Sequence, residues 1–228
     1  MPANPPTSLA PAPEPVRIAF EAAPGAQPDS RYLPLDLRAA ITVPLNGAWP
    51  LHRATGGDFP TLAPGPQRFN GVDFRVEGGV QLPSGRAALH FHSEIRISAA
   101  VPVPDATARR LHLLALRHTP MNPDSPPHRF ARVLLTGTDG HDTALEVLSV
   151  RDLANHQGAP RAASAHLAWV AANATSVASG EASDYLYSSV YHIVLDVPPN
   201  VGPIRALRFE SPEGTIEAPM FYAATLEP

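Results

Sequence analysis

The stretch Pro64-Gly65-Pro66-Gln67-Arg68-Phe69-Asn70-Gly71-Val72-Asp73-Phe74-Arg75-Val76 constrains this chain most. A Gly-Pro turn leads into a short strand, Asn70-Gly71 reverses the chain, and Val72, Phe74 and Val76 then alternate with Asp73 and Arg75. Asn-Gly supplies the positive φ angles of a tight turn, and period-two patterning puts the apolar side chains on one face, so the segment reads as a half-buried β-hairpin. The rest of the sequence agrees. Twenty-eight prolines and 15 glycines in 228 residues leave no proline-free stretch with a sustained i, i+3, i+4 apolar repeat, which disfavours helices. The expected class is all-β, and the length suits one generous two-sheet antiparallel sandwich.

Residues 1–30 read as a Pro/Ala-rich tail or linker: six of the first fifteen are proline and Glu14 is their one charged residue, a composition that favours extended chain. Val16, Ile18 and Phe20 alternate and could pair as an edge strand. A single β-sandwich domain is expected over 31–228. Within it Tyr32 to Leu37, Ala87 to Phe91, Glu94 to Val103, Arg110 to Arg117, His128 to Thr136, Thr143 to Val150, His166 to Ala171, Tyr185 to Val197, Ile204 to Glu210 and Ala218 to Thr225 read as strands between Pro, Gly, Asn and Asp clusters. Arg110 to Arg117 is nearly continuous apolar sequence after its first arginine, as a central strand covered on both faces requires. Thr138-Asp139-Gly140-His141 reads as a hairpin turn. Ala39 to Pro66 reads as a long loop-rich insertion, of the kind that tends to carry function.

The formal charge is −4, and all 17 basic side chains are arginine with no basic run, so nothing tracks a phosphate backbone and nucleic acid is not an expected partner. The absence of cysteine removes disulfides, thiolate metal sites and a cysteine nucleophile, and is compatible with either redox compartment. No basic n-region followed by an apolar h-region is seen near the start, and no apolar run approaches a membrane span.

No nucleophile elbow, phosphate loop, dinucleotide fingerprint or His-Glu-x-x-His motif occurs, so no catalytic residue is assigned. No local pair of carboxylates announces glycoside hydrolysis, which needs two acids about 5–10 Å apart across a cleft. Sugar binding needs a flat apolar face for the ring and planar hydrogen-bonding groups for its hydroxyls. Trp49 and His52, beside Asp58 in the insertion, are the leading candidates, followed by Tyr185 and Tyr187. The proline-stiffened loop 118–129 adds Asn122, Asp124 and His128. Oxygen donors held on such a loop, as in Asn122 and Asp124, could meet a sugar or contribute to a calcium site; a solvated loop is the plainer alternative. Trp169 alternates within an apolar strand and is assigned to the core. His90 and His92 share one face of a strand about 7 Å apart and are the candidates for a transition-metal site, against the plainer reading of strand histidines bonded to backbone or water.

Several short motifs, in order, resemble a galactose-binding-domain-like jelly roll, the fold of many carbohydrate-binding modules and of accessory domains of glycoside hydrolases. They are Leu35-Asp36-Leu37, Phe69-Asn70-Gly71-Val72-Asp73-Phe74, Leu111-His112-Leu113-Leu114, Thr138-Asp139-Gly140, Leu167-Ala168-Trp169, Tyr187, Ile204 through Ser211, and a closing apolar strand near Phe221. The resemblance runs from about Arg31 to Thr225. It departs at Tyr191-His192-Ile193-Val194-Leu195-Asp196, where the family carries an aromatic, Asn, Pro turn. The resemblance implies a non-catalytic module that binds a glycan through end loops, without a cofactor other than calcium, attached to an enzyme domain and working outside the cell or in the periplasm. Two alternatives stand beside it: an assembly domain that packs on a protein partner or on its own copy, and a histidine-based metal enzyme.

Overall fold

The computed structural model describes residues 31–43, 45, 62–82, 97–117, 128–149, 151–153, 166–172, 187–211 and 219–228, with the backbone alone at 117, 169–172, 187 and 188. Twelve strands are described: β1 (Leu33–Pro34), β2 (Gly65–Phe69), β3 (Val72–Val76), β4 (Val80–Gln81), β5 (Val101–Ala106), β6 (Arg110–Arg117), β7 (Arg129–Gly137), β8 (Asp142–Leu148), β9 (His166–Ala172), β10 (Tyr187–Asp196), β11 (Ile204–Glu210) and β12 (Pro219–Glu227). They form an all-β sandwich. One sheet has the order β1-β12-β6-β10-β9 with β4 also paired to β12, the second is β5-β11-β7-β8, and β2-β3 is a separate hairpin. Every strand pair is antiparallel.

The larger sheet is covered on both faces. Leu111, Leu113 and Ala115 of β6, with Tyr191, Ile193 and Leu195 of β10, pack against Val133, Leu135, Leu207 and Phe209 of the second sheet. The alternate residues Leu114 and Leu116 face the other way, where the β2-β3 hairpin closes a second core with Phe69, Val72, Phe74 and Val76. Burial on both sides explains why 111–116 of β6 and all nine residues of β12 are buried, as the continuous apolar sequence of β6 anticipates. A register shift between Phe221 and Ala223 sends the adjacent Tyr222 and Ala223 both into the second core. Each large apolar side chain so buried contributes about 1.5–3 kcal/mol.

The hairpin forms as its sequence predicts. Gly65 to Phe69 pairs with Val76 to Val72, and Asn70 and Gly71 take φ of 51° and 78°, the two positive values of a type I′ turn. Thr225 Oγ1 donates to Asp73 O across 2.7 Å, which ties the hairpin to the sheet beneath. Gly79 closes the same layer: a Cβ there would lie 2.7 Å from Val43 Cγ2 and 3.1 Å from Met220 Sδ.

Two strand boundaries differ from expectation. Tyr32 to Leu37 is not one strand: β1 stops at Pro34, and a 3-10 turn follows at Leu37–Ala39 because the Asp36 carboxylate accepts from Arg38 N at 3.1 Å and caps it. Of the strand expected at Glu94 to Val103, residues 94–96 lie outside the described residues, and the described strand there is β5. Ile97 makes an isolated bridge to Glu210, and Ser98 Oγ accepts from Phe209 N at 2.9 Å. Pro102 and Pro104 then lie in β5, an edge strand, where a missing N–H is tolerated. β4 is an additional short strand paired with β12, outside every expected span; the other described strands fall within two residues of their expected limits, and β6 and β11 match at both ends. The expected strands at 16–20 and 87–91 lie outside the described residues.

Candidate functional site

The two ends of the sandwich are unlike. At one end the connections are short: Ala106 to Arg110, the turn Thr138-Asp139-Gly140-His141, and Val197 to Pro203. There Gly137 N donates to His141 O and Thr138 N to Pro203 O, and Asp139 Oδ1 caps the turn by accepting from His141 N at 3.0 Å.

The described residues that flank every long internal connection with a sequence-selected polar or aromatic residue lie at the opposite end. Arg117 and Pro219 are paired there, as are Tyr187 and Ala172. Leu82 N donates to Pro219 O, Ile97 bridges Glu210, and Arg129 pairs with Leu148. Val43, two residues before Leu45, bridges Gly79, which lies against Met220, and Leu45 and Leu62 are both buried in the second core. These flanks bound 46–61, 83–96, 118–127, 173–186 and 212–218.

Of the residues selected from sequence, Trp49, His52, Asp58, Asn122, Asp124 and Tyr185 lie outside the described residues, as do the metal candidates His90 and His92. Tyr187 opens β10 and Trp169 lies in β9, with only their backbones described. His128 is exposed just before β7. Its Nδ1 and Nε2 lie 2.9 and 3.2 Å from Ser149 Oγ, so the hydroxyl faces the ring edge between the two nitrogens. Ser149 itself is fully buried, and this geometry does not present it as a nucleophile.

No family model matches this chain, and a search of curated proteins finds no match.

The strongest polar constellation among the described residues joins His112, His192, Glu227 and Asn70, none of them among the site residues that the sequence points to. On the hairpin-covered face of the larger sheet, His112 Nε2 lies 2.9 Å from Glu227 Oε2 and His112 Nδ1 lies 2.9 Å from His192 Nε2. His192 Nδ1 is 3.4 Å from Asn70 Nδ2 at the hairpin turn, and the same amide nitrogen donates a long bond to Leu167 O at 3.4 Å. The three ionisable members are 8 % exposed or less.

The hydrogen positions follow from the partners. Glu227 only accepts, so His112 carries its proton on Nε2 and accepts at Nδ1 from His192 Nε2. His192 Nδ1 is then left to accept from Asn70. Both imidazoles are neutral in this arrangement, and every donor points from Asn70 toward Glu227. Phe74 packs edge-on against His192 at 5.4 Å, and Tyr32 against His112 at 5.8 Å.

Burial drives the His192 pKa down to about 3, with His112 and His166 adding to the shift. Burial alone would raise the Glu227 carboxyl, but bonds from His112 and Arg109 and the charge of Arg110 hold it down to about 2. Arg109 reaches Glu227 Oε1 at 2.5 Å from the solvent side. The donors stand in a line instead of converging, and among the described residues no group of three is arranged for a metal ion. The sequence signal was a histidine inside each of two continuous apolar strands, Leu111-His112-Leu113 and Tyr191-His192-Ile193.

The outer face of the second sheet is charged. Arg132 pairs with Glu210, Arg208 with Asp142 at 2.5 Å and Arg129 with Glu146 at 2.6 Å. The large apolar side chains exposed among the described residues are Ile97 and Val194, which belong to different sheets; single exposures of this kind are ordinary surface. No described helix is long and apolar enough to cross a membrane.

Proposed function

We propose that this chain is a non-catalytic, galactose-binding-domain-like jelly-roll module that holds a glycan through the loops at one end of its sandwich. One observation carries the reading: the connections bearing Trp49, His52, Asp58, Asn122, Asp124 and Tyr185 are anchored by flanking residues at the same end, with His128 and Tyr187 among those flanks. A sugar needs an aromatic floor and several planar polar groups drawn from different loops. A rigid two-core scaffold supplies fixed anchor points for them. Trp49 is the proposed stacking platform. Asp58 and Asp124 would be the oxygen donors if calcium takes part.

The assembly-domain reading has less support. The second sheet's outer face carries three ion pairs, whereas a packing face is expected to be apolar and contiguous.

A glycan array probed with the purified chain, with and without calcium, tests the proposal. Selective binding that Trp49→Ala abolishes at an unchanged melting temperature supports it. A blank array on folded protein removes it, and the search would turn to protein partners.

A further inference from the structure

We propose that the turn of the β2-β3 hairpin is an acid-released latch, held shut by the one-way donor chain from Asn70 through His192 and His112 to Glu227 and opened when that chain takes up a proton.

The polarity of the chain makes it sensitive to a single proton. Its fixed ends are Glu227, which only accepts, and the Asn70 amide nitrogen, which only donates. With two neutral imidazoles between them, every contact is a matched donor and acceptor. One added proton has two places to settle. On His192 it sits directly at Nδ1. On His112 it sits at Nδ1, where it must donate to His192 Nε2, and His192 then keeps its own hydrogen on Nδ1. In both arrangements His192 Nδ1–H faces the Asn70 NH2 group across the 3.4 Å contact, and two donors oppose each other. Turning the Asn70 amide over does not repair this, because its oxygen would then face the Leu167 carbonyl that the nitrogen now bonds.

The surroundings leave the proton few other exits. Around the chain stand Arg109 and Arg110 beside Glu227, His166 on β9 with its ring 6.2 Å from that of His192, Tyr32 with Arg31 over its ring, Asp196 paired with Arg110 at 3.6 Å, and the Arg68–Asp73 pair on the hairpin. The Glu227 carboxylate is already engaged by arginine and histidine, and His166 lowers the His192 pKa further. The body of the hairpin keeps its apolar contacts and its bond to Thr225, so the turn opens while the sandwich stays folded. The latch concerns the hairpin face and is independent of the proposed glycan site.

Hydrogen exchange on the full chain, stepped from about pH 7.5 to about pH 4 and corrected for the intrinsic pH dependence of exchange, tests it: an opened His192 takes up a proton near the ordinary value of about 6.5 and a shut one only near about 3, so opening is favoured increasingly as the pH falls between them. Amides of 68–73 are expected to lose protection by about tenfold, the equivalent of one hydrogen bond, while those of β7 hold theirs. Uniform loss in both segments, or a hairpin turn that stays protected, overturns the proposal. Asn70→Gly keeps the left-handed backbone and removes the amide. That variant should exchange at the acid rate already at neutral pH, with its pH dependence gone; a variant that keeps the full dependence also overturns it.

Discussion

Glu227 on the last strand accepts a hydrogen bond from His112 on the central strand at 2.9 Å, and the two belong to a face that the hairpin shields from water. The register places them: Glu227 pairs with Arg110 and Thr225 with His112, so residues two apart on neighbouring strands meet diagonally. A carboxylate that is 8 % exposed is tolerated because His112, Arg109 and Arg110 together supply its donors.

Removing that carboxylate should therefore be costly. Glu227→Ala leaves His112 Nε2–H buried without its acceptor, and a loss of about 1–3 kcal/mol is expected in urea unfolding. Glu227→Gln keeps an acceptor oxygen for His112 but not the charge facing Arg109, and should lose less. Equal losses for the two variants would show that the histidine bond carries none of the stability.

Stability should fall in acid, with the direction set by His192. Its folded pKa of about 3 lies below the ordinary value near 6.5, so between those limits the unfolded chain binds a proton that the folded chain does not. Its contribution is fully present above about pH 6.5 and is lost as pH falls toward 3, at up to about 1.4 kcal/mol per pH unit. Glu227, held at about 2, adds a second loss below about pH 4.5 by the same sign. Urea midpoints at several pH values should show the first slope in the wild type and its absence in His192→Gln. A flat wild-type profile from pH 7 to 4 would refute the assignment of a neutral buried His192.

The hairpin should be separable into turn and body. Gly71 has φ of 78°, and Gly71→Ala should cost about 1 kcal/mol through backbone strain alone, since nothing lies within 4 Å of a Cβ there. Phe74 is 1 % exposed and lies at the centre of the second core. Phe74→Ala should cost about 3–5 kcal/mol and should shift the ring resonances of His192, which it packs against. Comparable losses for the two substitutions would mean that the second core contributes little.

The parts of the fold set by local chemistry were legible from the sequence. Asn70-Gly71 can turn in few ways, and the unbroken apolar run of β6 can sit only where both faces are covered. The all-β class and most strand limits follow from such signals. The exceptions are cases where side chains compete with the ladder: Asp36 caps a 3-10 turn that ends β1, and Ser98 with Phe209 moves the start of β5. The buried histidine chain was hidden for a different reason. His112, His192, Glu227 and Asn70 are far apart in sequence and meet only through strand register and the folding-over of the hairpin. Each alone looks like an ordinary polar residue, although a histidine inside an apolar central strand was the available clue. Trp49, His52 and Asp58 carry chemistry that loops can present, and their positions lie outside the described residues.

Burial, more than the mere presence of an ion pair, should decide what a carboxylate contributes. Asp142 accepts from Thr136 Oγ1 at 2.6 Å and pairs with Arg208 at 2.5 Å. The Thr136 bond and the Arg208 charge outweigh partial burial and lower its pKa. Its geometry thus rivals that of Glu227, yet it stands on the outer face with its side chain 39 % exposed. Water replaces a lost partner there, so a double-mutant cycle on Arg208 and Asp142 should return only about 0.2–1 kcal/mol, reduced further by salt. The corresponding cycle on His112 and Glu227 should give a larger coupling that salt barely changes. If the exposed pair proved the stronger, the shielding of the hairpin face would not be what gives Glu227 its weight.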